Sequence, residues 1–459
     1  MEADLTERKR QGVQAKSEAL RGELRRWREN SAMKAPLEKH HSQIRRITAR
    51  LDGLLDRVEA ELEAPDLDVI TQGRMIEEKL LTAHVIWEFF RAKFAQRLDA
   101  GFKEYLRVCD ELAWVCYSPV RDKFLAQPGS ARDAARVKEP PLVFLNGGWS
   151  PFALGRESAF QVERVSGGWL SQQEFRRLVE SLPVPLIGLP WFQVAHLPDA
   201  VVIAHEVGHI VEWDFGLTDV LKEALDTAVS KDRAGAWNTW LTEVFADLYG
   251  CLATGPAFAA TLIDFLAQDK ARLAADKRNP DAWGIYPPAW LRAKLLLATL
   301  SELGWSVDEL TRRHAALFGA PQANLEFVDD AVPVTRALLD CPCLTLSIKD
   351  DAGPRAPRVR ELLPHMPTDP VEVGRNIMSG WAAGSMDTRV LMASARWAWE
   401  SDPSAYMVKQ RDQTIRTLVR TLPGVRGTSS ASVPVSEQVE RELGKDWFDA
   451  LDGDIASVS

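Results

Sequence analysis

The chain has no uninterrupted apolar run long enough to span a bilayer. Its most apolar stretch, 182–211, is broken by prolines and by Asp199, His205 and Glu206, whereas a transmembrane helix needs about 20 consecutive apolar residues. The opening Met1-Glu2-Ala3-Asp4-Leu5-Thr6-Glu7 lacks the apolar centre of a signal peptide. Cysteine is scarce: five residues, an odd number whose spacing suggests no disulfide framework. Cys109 and Cys116 read as small buried side chains. Cys341-Pro342-Cys343 is the only tight pair, with no second Cys or His pair nearby to complete a zinc site. Positive charge is in deficit, with 56 Lys and Arg against 65 Asp and Glu and a net charge of −9. That argues against sequence-independent binding to nucleic acid, which needs clustered cations. The short basic run Arg8-Lys9-Arg10 lies beside acidic residues and reads as a solvated helix face. Together these deficits lead us to expect a soluble, cytoplasmic protein in a reducing compartment, with neither membrane nor nucleic acid as a partner.

What is present is a chain of 459 residues, 46% apolar and 26% charged. That composition supplies a sizeable core without disulfides, and the length suggests two or three domains. Residues 1–118 look helical. Ile44, Ile47, Leu51, Leu54, Val58 and Leu62 form one stripe at 3–4 spacing before Pro65-Asp66. A second helical segment carries Trp87, Phe90, Phe94, Leu98, Phe102, Tyr105 and Leu106. This region is either a helical hairpin or small bundle, or a coiled-coil-like arm for self-association or a regulatory partner.

Between 119 and 190 the texture changes to short apolar runs bounded by Gly and Pro. Leu142–Leu145, Phe160–Val162 and Pro185–Pro190 read as strands of a small sheet. Proline at both ends of the last suggests an edge strand. Asp199 is positioned to cap a helix that follows it, and further helices are expected near 217–232, 237–253, 256–275, 288–303 and 307–318. Beyond 340 an irregular stretch precedes helices near 386–400, 403–421 and 435–451. A flexible Gly/Ser linker lies near 427–434. The expected class is α+β, mostly α, divided as 1–118, 119–340 and 341–459.

The chemical signal is His205-Glu206-Val207-Gly208-His209, an H-E-x-x-H. Such a pattern arises by accident about once in a hundred chains of this composition, so its surroundings matter. Residues four apart share a helix face, where two imidazoles can converge on one zinc ion. Glu206 is rotated about 100° from His205, which suits it to deprotonate a water rather than to ligate. The neighbours are mostly Val, Ile, Ala and Gly, and two His and a Glu buried among them need partners. Downstream, Glu243 and Asp247 lie four apart in another apolar segment, Trp240–Gly250. Like charges there repel and call for a cation. Glu243 suits a third ligand and Asp247 the acceptor for a ligating histidine's free N–H.

H-E-x-x-H followed by E-x-x-x-D resembles the gluzincin pattern of thermolysin-like and CaaX-prenyl-protease-like metallopeptidases. The resemblance covers roughly 140–320. It implies a zincin-like core: a small twisted sheet with an edge strand for substrate, an active-site helix and a helical lower half. It also implies one Zn2+ per chain on His205, His209 and Glu243, Glu206 as general base, and a peptide or protein substrate. Gly284–Ala293 is similar to the H-P-P-x-x-x-R segment of those relatives, with Tyr286 in place of the His. Tyr286 or Arg292 would then steady an oxyanion, or Arg292 would anchor an acidic side chain or the substrate carboxylate. His196 and His314 are lesser candidates for the same role. Prenyl proteases are membrane-embedded, and no such segment accompanies the motif here. Two alternatives stay open: a silent zincin scaffold retained for binding, and a zinc hydrolase of a non-protein substrate.

Overall fold

The computed structural model describes residues 2–64, 68–127, 137–153, 183–267, 283–319, 325–350, 353–384, 387–422 and 437–455. Among them are sixteen α-helices and five short strands, an α+β arrangement that is mostly α. No described helix is long and apolar enough to cross a membrane. The Pro65-Asp66 helix end, the Phe160–Val162 strand and the 427–434 linker fall outside the described residues.

Helices α1 (Glu2–Asn30), α2 (His41–Leu62) and α3 (Val69–Ala95) form the N-terminal bundle. The α2 stripe from Ile44 to Leu62 is buried throughout, and it packs with Leu24 of α1 and with Ile86 and Phe90 of α3. Asp68 starts α3, its carboxylate accepting from the amides of Ile70 and Thr71 at 3.0 and 3.3 Å. The segment expected to continue from Trp87 to Leu106 is two helices, because the chain turns at 96–102 before α4 (Lys103–Leu125). Asp99 accepts from the Gly101 amide at 2.7 Å within that turn, and Leu98 is left 55% exposed.

Strands β1 (Leu142–Asn146), β2 (Phe152–Ala153) and β3 (Leu186–Pro190) make a sheet in the order β1-β3-β2. β3 is parallel to β1 and antiparallel to β2. It is therefore central, which corrects the expectation of an edge strand at 185–190. The prolines sit only at its ends, where neither removes a hydrogen bond from the interior of the ladder. The outer edge of β1 is closed by side chains. Gln96 both donates to the Leu145 carbonyl and accepts from its amide at 2.8 Å. Asp110 accepts from the Val143 amide at 3.2 Å, and Arg97 donates to the Val143 carbonyl.

Alternation along the strands makes the sheet a wall between two cores. Leu142, Phe144 and Leu186 face the N-terminal bundle. Val143, Leu145, Ile187 and Leu189 face a larger core, shared by α4 and the helices that follow the sheet.

Those helices are α5 (Ile203–Asp214), α6 (Thr218–Ala228), α7 (Lys231–Thr254), α8 (Pro256–Leu266), α9 (Ala289–Glu302), α10 (Asp308–Phe318) and α11 (Ala331–Asp340). A 3₁₀ turn over Leu197–Val202 precedes α5. Asp199 therefore does not cap it, and pairs with His196 at 3.0 Å instead. The stretch after 340 is more ordered than its composition suggests. It holds the hairpin β4 (Ile348–Asp350) and β5 (Gly353–Arg355), followed by α12 (Pro370–Ser379). Next come α13 (Thr388–Ser401), α14 (Pro403–Val408) and α15 (Arg411–Thr421), the last two separated at Gln410, which has φ +47°. Val390 and Leu391 of α13 lie in the same core as Val207 of α5.

The last helix, α16 (Glu437–Ile455), lies along α2. Its Glu440 is buried and pairs with both Arg46 and Arg50. Gly53 and Gly444 allow the approach: a Cβ on either would collide with the other helix's backbone, at Arg441 or at Arg50.

Candidate metal centre and cleft

α5 carries His205, Glu206 and His209, and α7 carries Glu243 and Asp247. The two helices touch at Gly208, where an added Cβ would stand 2.9 Å from Tyr249 Cβ and 3.0 Å from Ala246 Cα. The first is shorter than real side chains show and the second is tight, so the glycine sets how near Glu243 comes to the imidazoles. Further anchors hold the pair in the core. Tyr249 donates to the Cys116 carbonyl at 2.6 Å, and Tyr117 donates to Asp214 at 2.8 Å.

The ligand atoms converge. His205 Nε2 and His209 Nε2 are 3.1 Å apart, and they stand 3.4 and 3.6 Å from the two Glu243 oxygens. Tetrahedral zinc with bonds of about 2.0–2.1 Å places neighbouring donors roughly 3.3–3.4 Å apart. The arrangement thus fits a zinc ion, and it is a group of His, Cys, Asp or Glu able to hold a metal among the described residues. All three side chains are nearly inaccessible, with exposures of 12%, 1% and 0%.

Behind the ligands, His205 Nδ1 lies 2.9 Å from Asp247 Oδ1, which fixes the ring so that Nε2 faces the ligand group. Arg292 in turn holds Asp247 with two bonds of 2.7 Å and stands 3.3 Å from Glu243. Charges buried this completely are tolerable only when paired. Burial pulls the His205 imidazolium down, but the Asp247 and Glu243 carboxylates outweigh it and push it up to about 9. Burial likewise works against the Glu243 carboxylate, yet His205 and Arg292 hold it well below the usual range.

The group opens on a cleft of about 1380 Å³, whose lining includes Glu206, β2, Tyr286 and Arg292. Tyr286 is 45% exposed, with the Arg292 guanidinium 5.5 Å over its ring. Arg292, considered at the sequence level for an oxyanion or for anchoring an acidic side chain, has its carboxylate partner in Asp247. His196 lines the cleft too, packed edge-on against Trp399. His314 does not reach it and sits 3.3 Å from the Trp290 carbonyl. The five cysteines are free and buried.

Sequence reasoning missed Lys93, Arg396 and Trp399, which also line the cleft. They lie on α3 and α13, far along the chain from the motif, and no local pattern marks them. Arg396 is buried among Asp264, Glu400 and Asp199, linking α8, α13 and the turn before α5.

No family model, curated protein or solved structure matches the chain. The likeness to gluzincins therefore rests on the residues of the site.

Proposed function

We propose that the protein is a zinc-dependent peptidase, with His205, His209 and Glu243 as metal ligands and Glu206 as general base. The observation that carries this reading is the buried His-His-Glu group opening on a large cleft with Glu206 in its wall. A site that only held metal for stability would need neither the cleft nor the adjacent carboxylate. Zinc bound there supplies Lewis acidity, which polarises a carbonyl and acidifies water. The rest falls to the chain. Glu206 takes the proton of the attacking water and returns it to the leaving amine. Asp247 and Arg292 hold His205 and Glu243 in place. With Arg292 bound to Asp247, Tyr286 is the better placed donor for an oxyanion developing on the substrate carbonyl. Since β1 is closed at its outer edge and β3 is central, β2 is the strand along which a peptide backbone would lie.

Metal analysis and a cleavage assay test this together. Wild-type protein should carry about one zinc per chain, and Glu243→Ala should lose it. Glu206→Gln should keep the metal while peptide hydrolysis falls by roughly 10²–10⁴-fold. A wild-type chain that takes up no zinc when supplied with it, or a Glu206→Gln variant as active as wild type, would sink the proposal.

A further inference from the structure

Lys93 lies near the end of α3, 9% exposed, and lines the same cleft as the metal ligands. Its surroundings are unusual for an ammonium. Nζ donates to the Phe89 carbonyl one turn back at 2.8 Å. It sits 3.2 Å over the Phe89 ring and 4.9 Å from the centre of the Phe144 ring. Among the described residues no carboxylate comes within ion-pair distance of it, whereas the buried Arg46, Arg97, Arg292 and Arg396 all have one. Burial alone brings the Lys93 ammonium down to about 7.

Position adds to this. α5, which carries His205 and His209, packs against β2. From β2 the Phe152 ring meets the Phe144 ring at 5.9 Å, and Phe144 in turn flanks Lys93. The cleft thus runs from the ligand group past β2 to one buried cation in an aromatic setting. Rings beneath an ammonium stabilise it only in part, and a desolvated charge without a counter-charge is costly. An anion arriving with a ligand would supply what the described residues do not.

We propose that Lys93 is the carboxylate-recognition residue of the cleft, taking the C-terminal carboxylate or an acidic side chain of a peptide lying along β2. The peptide nature of the ligand rests on the peptidase reading; the carboxylate rests on Lys93 and its neighbours. Lys93 acts in binding and takes no part in proton transfer.

The test uses the full chain with Glu206→Gln, loaded with zinc so that bound peptides persist. The probes are three pools of N-acetylated heptapeptides randomised over neutral residues: free C-terminal carboxylate, C-terminal amide, and C-terminal amide with one internal Glu. Retention is read by ultrafiltration and mass spectrometry. We expect at least one carboxylate-bearing pool to be retained about tenfold over the neutral amide, with the favoured pool identifying the source of the carboxylate. Adding Lys93→Met should bring the ratio below about twofold, and Lys93→Arg should restore part of it. A thermal melt of each variant confirms that it is folded. Equal retention of all pools, or a preference that survives Lys93→Met, overturns the assignment.

Cleavage by the wild-type protein is read separately. Hydrolysis of the pools without a Lys93-dependent preference sinks the carboxylate role and leaves the peptidase reading standing. A Lys93-dependent preference without hydrolysis does the reverse. Retention of none of the pools overturns the carboxylate role, and the peptidase reading falls with it if none is hydrolysed.

Discussion

Asp247 is 2.9 Å from His205 Nδ1 and is gripped from behind by Arg292, so its effect on a metal would pass through His205 and, by way of Arg292, through Glu243. Removing such a partner commonly weakens metal affinity 10–100-fold. Asp247→Ala should do so in competition with a chromophoric chelator, while leaving three ligands and a folded chain. An unchanged zinc affinity would mean that the ring is held by other contacts. Lys93 makes a different prediction, about stability. Its ammonium falls from an ordinary value of 10.5 to about 7 on folding. Between those values the unfolded chain holds a proton that the folded chain does not, so wild-type stability rises with pH across that window. Lys93→Met should therefore melt above wild type at pH 7, with the gain shrinking as pH approaches 10; a gain that grows with pH would contradict the burial argument. The five residues of the motif pair were legible because helical spacing puts His205 and His209 on one face of a helix and Glu243 and Asp247 on one face of another, with Glu206 next to the first histidine. Lys93 was not, since nothing within reach of it in sequence announces a cleft.

At the scale of elements, two pairs of helices depend on missing Cβ atoms. Gly208 lets α5 reach α7, and Gly208→Val should separate them enough to loosen the ligand group. The expected result is weaker zinc binding together with a lower melting temperature. Zinc affinity equal to wild type would show that the helices can slide without disturbing the ligands. Gly53 and Gly444 do the same for α2 and α16. Gly444→Leu should detach α16, exposing it to limited proteolysis and leaving Arg46 and Arg50 without Glu440; protection equal to wild type would show that the crossing is not needed. Helices were readable wherever an apolar stripe or a turn signal marked them. The rank of the strands was not. End prolines are compatible with an edge, but whether a strand is central depends on where β1 and β2 fall, and that is decided by pairing between distant residues. Asp199 is a similar case: its composition suits a cap, yet a 3₁₀ turn and His196 claim it.

For the whole molecule, the sheet is the shared wall of two cores, so neither can lose its packing without uncovering a face of the other. Melting followed by helix signal and by release of zinc to a reporter dye should coincide, as expected of one cooperative unit. Zinc release well below the loss of helix would show that the site opens on its own. Helices from all three segments proposed from sequence meet in one core around the candidate metal group: α4, which runs across the boundary at 118, α5 and α7 from the second, α13 from the last. Composition could mark changes of texture along the chain but not which pieces pack together. That mixing has a consequence in time. Ribosomes add roughly 5–20 residues per second, and Arg396 and Trp399 emerge long after Glu243. A growing chain thus carries all of its proposed ligands on the order of ten seconds or more before the far wall of the cleft exists. If the chain is the hydrolase we propose, the cleft that would hold its substrate is completed only late in its synthesis.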